Sequence, residues 1–223
     1  FNSHIIMQSN NIDRDLDLLD SKIFSQLITS VVQTNHGEAV IINKNLTKGI
    51  VLRGYKNNDF EKLKIFQNIN FELDNDIFSE KKIAIGKELS FDLNLKVGDN
   101  ILIMSPIGEE TIIGNLPKQE IFEISFIFES GLLEFDQNVA FINIKSLENL
   151  MNIDKSDRNL EIFLKNPTDI NNAKSKIQNN FKDNFIYTWA DINRSLFSAL
   201  KVERNVMFII LSLIIIVAAF NII

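Results

Sequence analysis

The closing run "VERNVMFIILSLIIIVAAFNII" constrains this chain more than any other stretch. From Val206 to Ile223 the only polar side chains are Ser212 and Asn221. A helix that packs on a soluble core keeps a polar stripe toward water, whereas one that is apolar all round suits lipid contact. Each central Ile, Leu, Phe or Val favours insertion by roughly 0.3 to 0.6 kcal/mol, so about a dozen of them outweigh one Ser and one Asn near the end. A secretory signal would stand at the other end, ahead of the folded part. The run is slightly shorter than the roughly 20 residues a span needs. The sequence therefore predicts a membrane-crossing helix cut off at Ile223, behind a folded region.

That region, residues 1 to 205, is long enough for two subdomains with real cores. Its polar character excludes some functions. The formal net charge is −6, and Lys and Arg are scattered rather than clustered, so the electrostatic footprint of a nucleic-acid binder is missing. There is no cysteine, hence no disulfide framework and no thiolate zinc site. With 8 Gly and 3 Pro among abundant Ile, Asn, Lys and Phe, the chain reads as ordered.

Local patterns place the elements. "HIIMQS" reads as a strand. "NNIDRDLDLLDSKIFSQLITS" has helical spacing, with Leu16, Leu19, Ile23 and Leu27 on one face and acids at its start. "EAVIIN" and "GIVLRGY" are strands about a turn in "KNLTKG". From residue 56 to 156 the texture is mainly β. "KIAIGKELSFDLNLKVGDNILIMS" joins a short helix to a strand through Val97-Gly98-Asp99-Asn100, "IFEISFIFES" alternates as a strand, and "NVAFINIKSLENLMNI" runs from strand into a helix N-capped by Ser146. After Asp157 come a strand in "NLEIFLK", a helix in "PTDINNAKSKIQNNF" capped by Thr168 or Asp169, and a strand in "FIYTW". "ADINRSLFSALKVERN" then continues helically into the apolar run, without Pro or Gly, so that one rigid helix is expected from Ala190 to Ile223. The fold class is α+β. Residues 1–55 and 157–191 form a split βαββ/βαβ subdomain, 56–156 an inserted, mainly β subdomain, and 192–223 the helix leading into the span.

Asn193 to Ile223 resembles the segment leading into the second transmembrane helix of the LolC/LolE family of lipoprotein-releasing ABC permeases. The likeness rests on Phe197, the Val202-Glu203-Arg204-Asn205 junction, Met207, and Val217 through Ile222. It extends more weakly through "VGDNILIMSP", "GNLPKQEIFEI", "FES" and "AFINIKSLENLM". This resemblance implies a MacB-like periplasmic core, with a porter-like subdomain built from both ends and a Sabre subdomain inserted between. It also implies an inner-membrane permease that pairs with a second permease subunit, homo- or heterodimeric, and with a separate ABC ATPase. Such a permease extracts lipoproteins and passes them to a periplasmic chaperone. ATP and magnesium would sit on the ATPase partner, because no G-x-x-x-x-G-K-[ST] loop occurs here and no cofactor is expected in this chain.

"SPIGEETIIGNLPKQE" lies between two strands, bracketed by Pro106 and Pro117, and is too long for a tight turn. Its apolar residues Ile107, Ile112, Ile113 and Leu116 are expected to be exposed. LolC-type subunits recruit the chaperone through a proline-bearing hook, so the resemblance assigns chaperone binding to Pro106, Ile107, Thr111, Ile112, Ile113, Gly114, Asn115, Leu116 and Pro117. Asn115 departs from the basic residue often found ahead of the second proline. The alternative for the loop is an ordinary connection whose isoleucines fold inward. Lipid or lipoprotein contact is expected at Val206, Met207, Ile210, Leu211 and Ile214, which share one helical side, and Glu203 and Arg204 are expected at the membrane boundary. The alternative functions are a MacB- or FtsX-type permease for efflux or cell-wall hydrolase control, and a membrane-tethered sensor domain.

Catalytic and metal readings fail on spacing. Asp13, Asp15 and Asp17 alternate like the opening of a calcium loop, but Leu18 and Phe24 stand where that loop needs Gly and Glu, so a solvated helix start is expected. His4 and His36 fall in no zinc or triad context. Glu109-Glu110 reads as a solvent-facing pair, and Phe185, Tyr187 and Trp189 read as core or membrane-proximal packing. No enzymatic activity is expected.

Overall fold

The computed structural model describes residues 3–66, 77–111 and 114–222. It begins with strand β1 (Ile5–Gln8) and helix α1 (Ile12–Leu19), followed by the strands β2 (Ile28–Asn43) and β3 (Leu46–Tyr55) and two short 3-10 turns (Asn57–Lys62 and Lys64–Phe66). The middle of the chain forms β4 (Lys82–Gly86), α2 (Lys87–Asp92), β5 (Asn100–Thr111), β6 (Gly114–Phe128), α3 (Leu133–Asn138), β7 (Val139–Asn143) and α4 (Ile144–Met151). Then come β8 (Asn159–Leu164), α5 (Ile170–Asn180), β9 (Phe185–Thr188), α6 (Trp189–Ile192) and α7 (Arg194–Ile222). The α+β class is as the sequence indicates.

The helix expected across residues 10–30 stops at Leu19. Ile28, Thr29, Val31 and Val32 are β-branched and fit a pleated surface better than a helix. They open β2, which pairs with β8 from Ile28↔Leu164 to Thr34↔Asn159. Ile23, expected on the buried face, is 68% exposed, and its neighbour Phe24 enters the core instead. The turn between β2 and β3 is shorter than expected: Asn43 pairs with Leu46, and Lys44 takes a positive φ of 54° to make the reversal.

Nine strands join in the order β3-β7-β4-β6-β5-β2-β8-β1-β9, and β3 also pairs with β2. That last pairing closes six strands into a ring. Within it the β2–β3 hairpin pairs with strands of the 56–156 segment on both sides, β3 with β7 in parallel and β2 with β5 antiparallel. The ring is filled by Ile41, Leu52, Ile83, Ile85, Ile103 and Phe122, with Leu89 from α2 and Leu147 and Leu150 from α4. The first half of β2 continues into the β8-β1-β9 sheet, where α1 and α5 cover Val31, Leu160, Ile162 and Ile5. A third cluster, on the other side of β2 and β8, is built from phenylalanines: Phe66 meets Phe141 at 5.1 Å and Phe78 at 5.2 Å, both edge to face, a geometry aromatic quadrupoles favour.

α4 is capped by Asn143, whose side chain accepts from the Lys145 N–H. The expected cap, Ser146, lies one turn inside and donates to the Glu80 carbonyl. Its hydroxyl ties the helix to the chain ahead of β4 rather than closing the helix end.

Candidate functional site: the long hairpin and the C-terminal helix

β5 and β6 are seated in the ring by Ile101, Ile103, Phe122 and Ile124, all buried. Their pairing runs regularly from Asn100↔Glu123 to Ser105↔Lys118, then resumes as Glu109↔Leu116, Glu110↔Asn115 and Thr111↔Gly114. Between Ser105 and Glu109 the β5 side holds two more residues than its partner. Pro106 sits in that bulge and has no N–H for the ladder, which is why the interruption falls there. β2 pairs with β5 only at residues 102–104, and β4 with β6 only from Glu123 on. Among the described residues, the outer part of the hairpin therefore pairs only with itself.

Where the sequence suggests a proline-bracketed loop between two strands, Pro106 to Thr111 continue β5 and Gly114 to Pro117 open β6, so that these residues form the outer part of a two-stranded arm. Pro106 and Pro117 are exposed, and Leu116 is 53% exposed. Ile112 and Ile113 lie outside the described residues, and for Ile107, Thr111, Gly114 and Asn115, as for Glu109 and Glu110, only the backbone is described. At the arm's base, Lys118 donates to the Asn149 carbonyl of α4 at 2.6 Å, and Lys81 pairs with Glu120 at 2.8 Å.

α7 is the second feature. Its stretch Arg194–Phe220 has mean hydropathy 2.2 in the most apolar window, none of which is buried, and by length and composition it can cross a membrane. Val206, Met207, Ile210, Leu211 and Ile214 are brought to one side by the helical repeat, and each is exposed. Glu203 and Arg204 are exposed just ahead of them.

The expected unbroken helix from Ala190 is interrupted once, at Asn193. There the backbone turns to φ −100° and ψ 33°, and both the Asn193 N–H and its side-chain amide donate to the Trp189 carbonyl, at 3.1 and 2.9 Å. The short α6 is locked by a capping box. The Asp191 N–H donates to the Thr188 hydroxyl, while the Asp191 carboxylate accepts from the Thr188 N–H and hydroxyl. Lys174 of α5 reaches the same carboxylate at 2.7 Å. The Lys174 ammonium and the Thr188 donors hold the Asp191 carboxyl well below the usual carboxylate range. Across the joint, the Trp189 and Phe197 rings meet edge to face at 5.4 Å. Trp189 is thus half exposed and packs on α7, and Phe185 is 72% exposed; neither is core.

Three polar centres escaped the sequence reading. Asp15 is wholly buried, not part of a solvated helix start: it accepts from the Ser9 hydroxyl, the Asn184 amide and the Arg14 guanidinium. Arg158 bridges the Glu148 carboxylate of α4 and the Gln33 amide of β2. Glu161 of β8, only 3% exposed, takes Arg53 and the Tyr55 hydroxyl, and burial together with that carboxylate pushes the Tyr55 hydroxyl up. The signal for Glu161 was available, since it interrupts the otherwise apolar "LEIFL". His4 accepts from the Leu164 N–H, and His36 lies beside Arg53 and Glu161, burial holding its imidazole below the usual value. Among the described residues no three His, Cys, Asp or Glu side chains are grouped to hold a metal.

No family model matches the chain. Curated relatives carry the name "Lipoprotein-releasing system transmembrane protein LolC". The one from Xylella fastidiosa strain Temecula1 is 30% identical over 145 residues, covering 65% of this chain and 35% of that protein. The one from Neisseria meningitidis serogroup B is 27% identical over 190 residues, covering 83% and 46%. The one from Buchnera aphidicola subsp. Schizaphis graminum is 28% identical over 220 residues, covering 97% and 50%. The chain thus spans half or less of the length of these relatives. Among solved structures, the periplasmic region of MacB from Actinobacillus actinomycetemcomitans aligns with TM-score 0.48 and 14% identity, covering 86% of this chain and 91% of that one. The extracellular domain of the noncanonic ABC-type transporter YknZ from Gram-positive bacteria aligns with TM-score 0.48 and 15% identity, covering 84% and 100%; both are too distant for any inference of function. By sequence, this chain is similar to these LolC proteins, to the Buchnera one over 97% of its length.

Proposed function

We propose that this chain is the periplasmic region, with the start of the following span, of an inner-membrane ABC permease subunit. The whole permease would extract lipoproteins from the membrane and hand them to a periplasmic chaperone. The observation that carries the reading is the similarity to LolC over 97% of the chain. In this reading the chain is non-catalytic: ATP and magnesium act on a partner ATPase, and a second permease subunit completes the dimer. The β5–β6 arm is the chaperone-docking element. A hairpin arm that, among the described residues, pairs only with itself offers edge groups and exposed prolines to a partner strand. Val206, Met207, Ile210, Leu211 and Ile214 contact lipid or the cargo's acyl chains, where contact needs apolar area and no specific polar group.

Deleting Thr111 to Leu116 in the full permease tests the docking role. The expected result is loss of chaperone pull-down, with the melting temperature of the folded region unchanged. Chaperone captured as well by the deletion variant as by the parent would reject the assignment of the arm.

A further inference from the structure

A cavity of about 390 Å³ opens between the sheet and α6, at the foot of α7. Its walls are apolar: Ile6, Val51, Phe135, Val139, Trp189 and Ile192. Its polar lining is Ser3, His36, Arg53, Glu161 and Asn193. Ser3 is 4% exposed, and its hydroxyl finds no hydrogen-bond partner among the described residues. A buried hydroxyl in that condition is costly and is satisfied when a ligand supplies the partner.

The charges in the cavity select the ligand. Arg53 and Glu161 are ion-paired, and Tyr55 also donates to Glu161. An anionic head would have to draw Arg53 from its carboxylate, and a cationic head would have to draw Glu161 from its guanidinium. Separating a buried pair is expensive, so a head without net charge is favoured. The apolar wall leads outward: Trp189 touches Phe197, the first ring of α7, with Leu200 exposed one turn on, and the exposed Lys201, Glu203 and Arg204 stand between these and the apolar run from Val206. A chain too long for the cavity can extend over Phe197 and Leu200.

We infer that this cavity binds a neutral acyl amphiphile, its ester, amide or hydroxyl head against Ser3 and its chain against Trp189 and Ile192. Such a head-and-chain chemistry is offered both by a bilayer glyceride and by the acyl anchor of a lipoprotein. The site is independent of whether the hairpin arm recruits a chaperone.

Trp189 is the only tryptophan in the chain, so it reports on the cavity directly. With the protein in phosphatidylcholine nanodiscs, a dibrominated monoacylglycerol is expected to quench Trp189 saturably, and unbrominated monoacylglycerol to reverse the quench. Val51→Phe fills the cavity from β3 and removes the saturable phase. Ile192→Ala, at a position 57% exposed that the fold does not depend on, weakens binding several-fold, and Ser3→Ala weakens it about fivefold. Reversal also by a triacylated lipopeptide names the cargo anchor as a source; reversal by monoacylglycerol alone names the bilayer. Quenching that rises linearly and is unchanged in Val51→Phe and Ile192→Ala overturns the proposal. So does equal competition by an anionic lysophosphatidic acid.

Discussion

Buried charge sets the sensitivities of individual residues in this molecule. Removing one partner of a buried ion pair strands the other, and that costs more than the pair contributes. Arg53→Met, which leaves Glu161 in the interior without its guanidinium, should therefore lower stability by about 3 kcal/mol, read from urea denaturation midpoints. Restoring part of that loss with Glu161→Gln in the same chain would identify the stranded carboxylate as the cause. His36 acts in the opposite sense. Burial, then Arg53, lowers its folded-state value below the ordinary 6.5, so the unfolded chain binds the proton more readily. The stability tied to neutral His36 is complete above pH 6.5 and declines as pH falls below it. His36→Asn should flatten the dependence of unfolding free energy on pH between 7.5 and 5.5; an unaltered slope would mean that His36 does not titrate across folding.

Among the elements, α6 is the one whose smallness matters. Four residues cannot sustain a helix on propensity, and this one is held by the capping box and by Lys174 from α5. Asp191→Asn weakens both ties and should reduce stability by about 1 kcal/mol, the typical worth of a cap. It should also broaden the distance distribution between spin labels on α5 and on the first turn of α7. The depressed Asp191 carboxyl predicts that this tie is intact above the unfolded-state value of 3.8 and is lost as pH falls through the folded-state value. The β5–β6 arm shows the complementary case, an element whose inner half is fixed by core residues and whose outer half, past the bulge at Pro106, pairs only with itself among the described residues.

For the whole molecule the relevant fact is that β2 belongs to every part of it. Its first half pairs with β8, its second half with β5, and β3 along one side joins the ring. A displacement of the β8-β1-β9 sheet, to which α6 is fastened, can pass into the ring that holds the arm along β2 and through the Arg53–Glu161 and Arg158–Glu148 pairs. Under the proposed function this is a mechanical path from the membrane helix to the docking arm. A Gly-Gly pair at Lys201-Val202 costs roughly 1 kcal/mol per Gly in helix propensity and softens α7 just above its apolar run. In the complete transporter it should leave ATP hydrolysis in place while lipoprotein release falls; release at the parental rate would refute rigid coupling through α7.

The sequence by itself determined what depends on neighbours along the chain. The alternation in "IFEISFIF" marks β6, the apolar all-round run marks a membrane-capable α7, and Gly98 marks the turn before β5, because side-chain period and backbone freedom are local properties. The tertiary structure alone decided whatever depends on a distant partner. The helical pattern past Leu19 lost to pairing with β8, more than a hundred residues away. The apparent loop after Ser105 became an arm because two strands found a shifted register. Asp15 and Glu161 went inside because Asn184, Arg53 and Tyr55 met them there, and no spacing along the chain encodes that the desolvation of a carboxylate will be compensated by groups brought together only on folding.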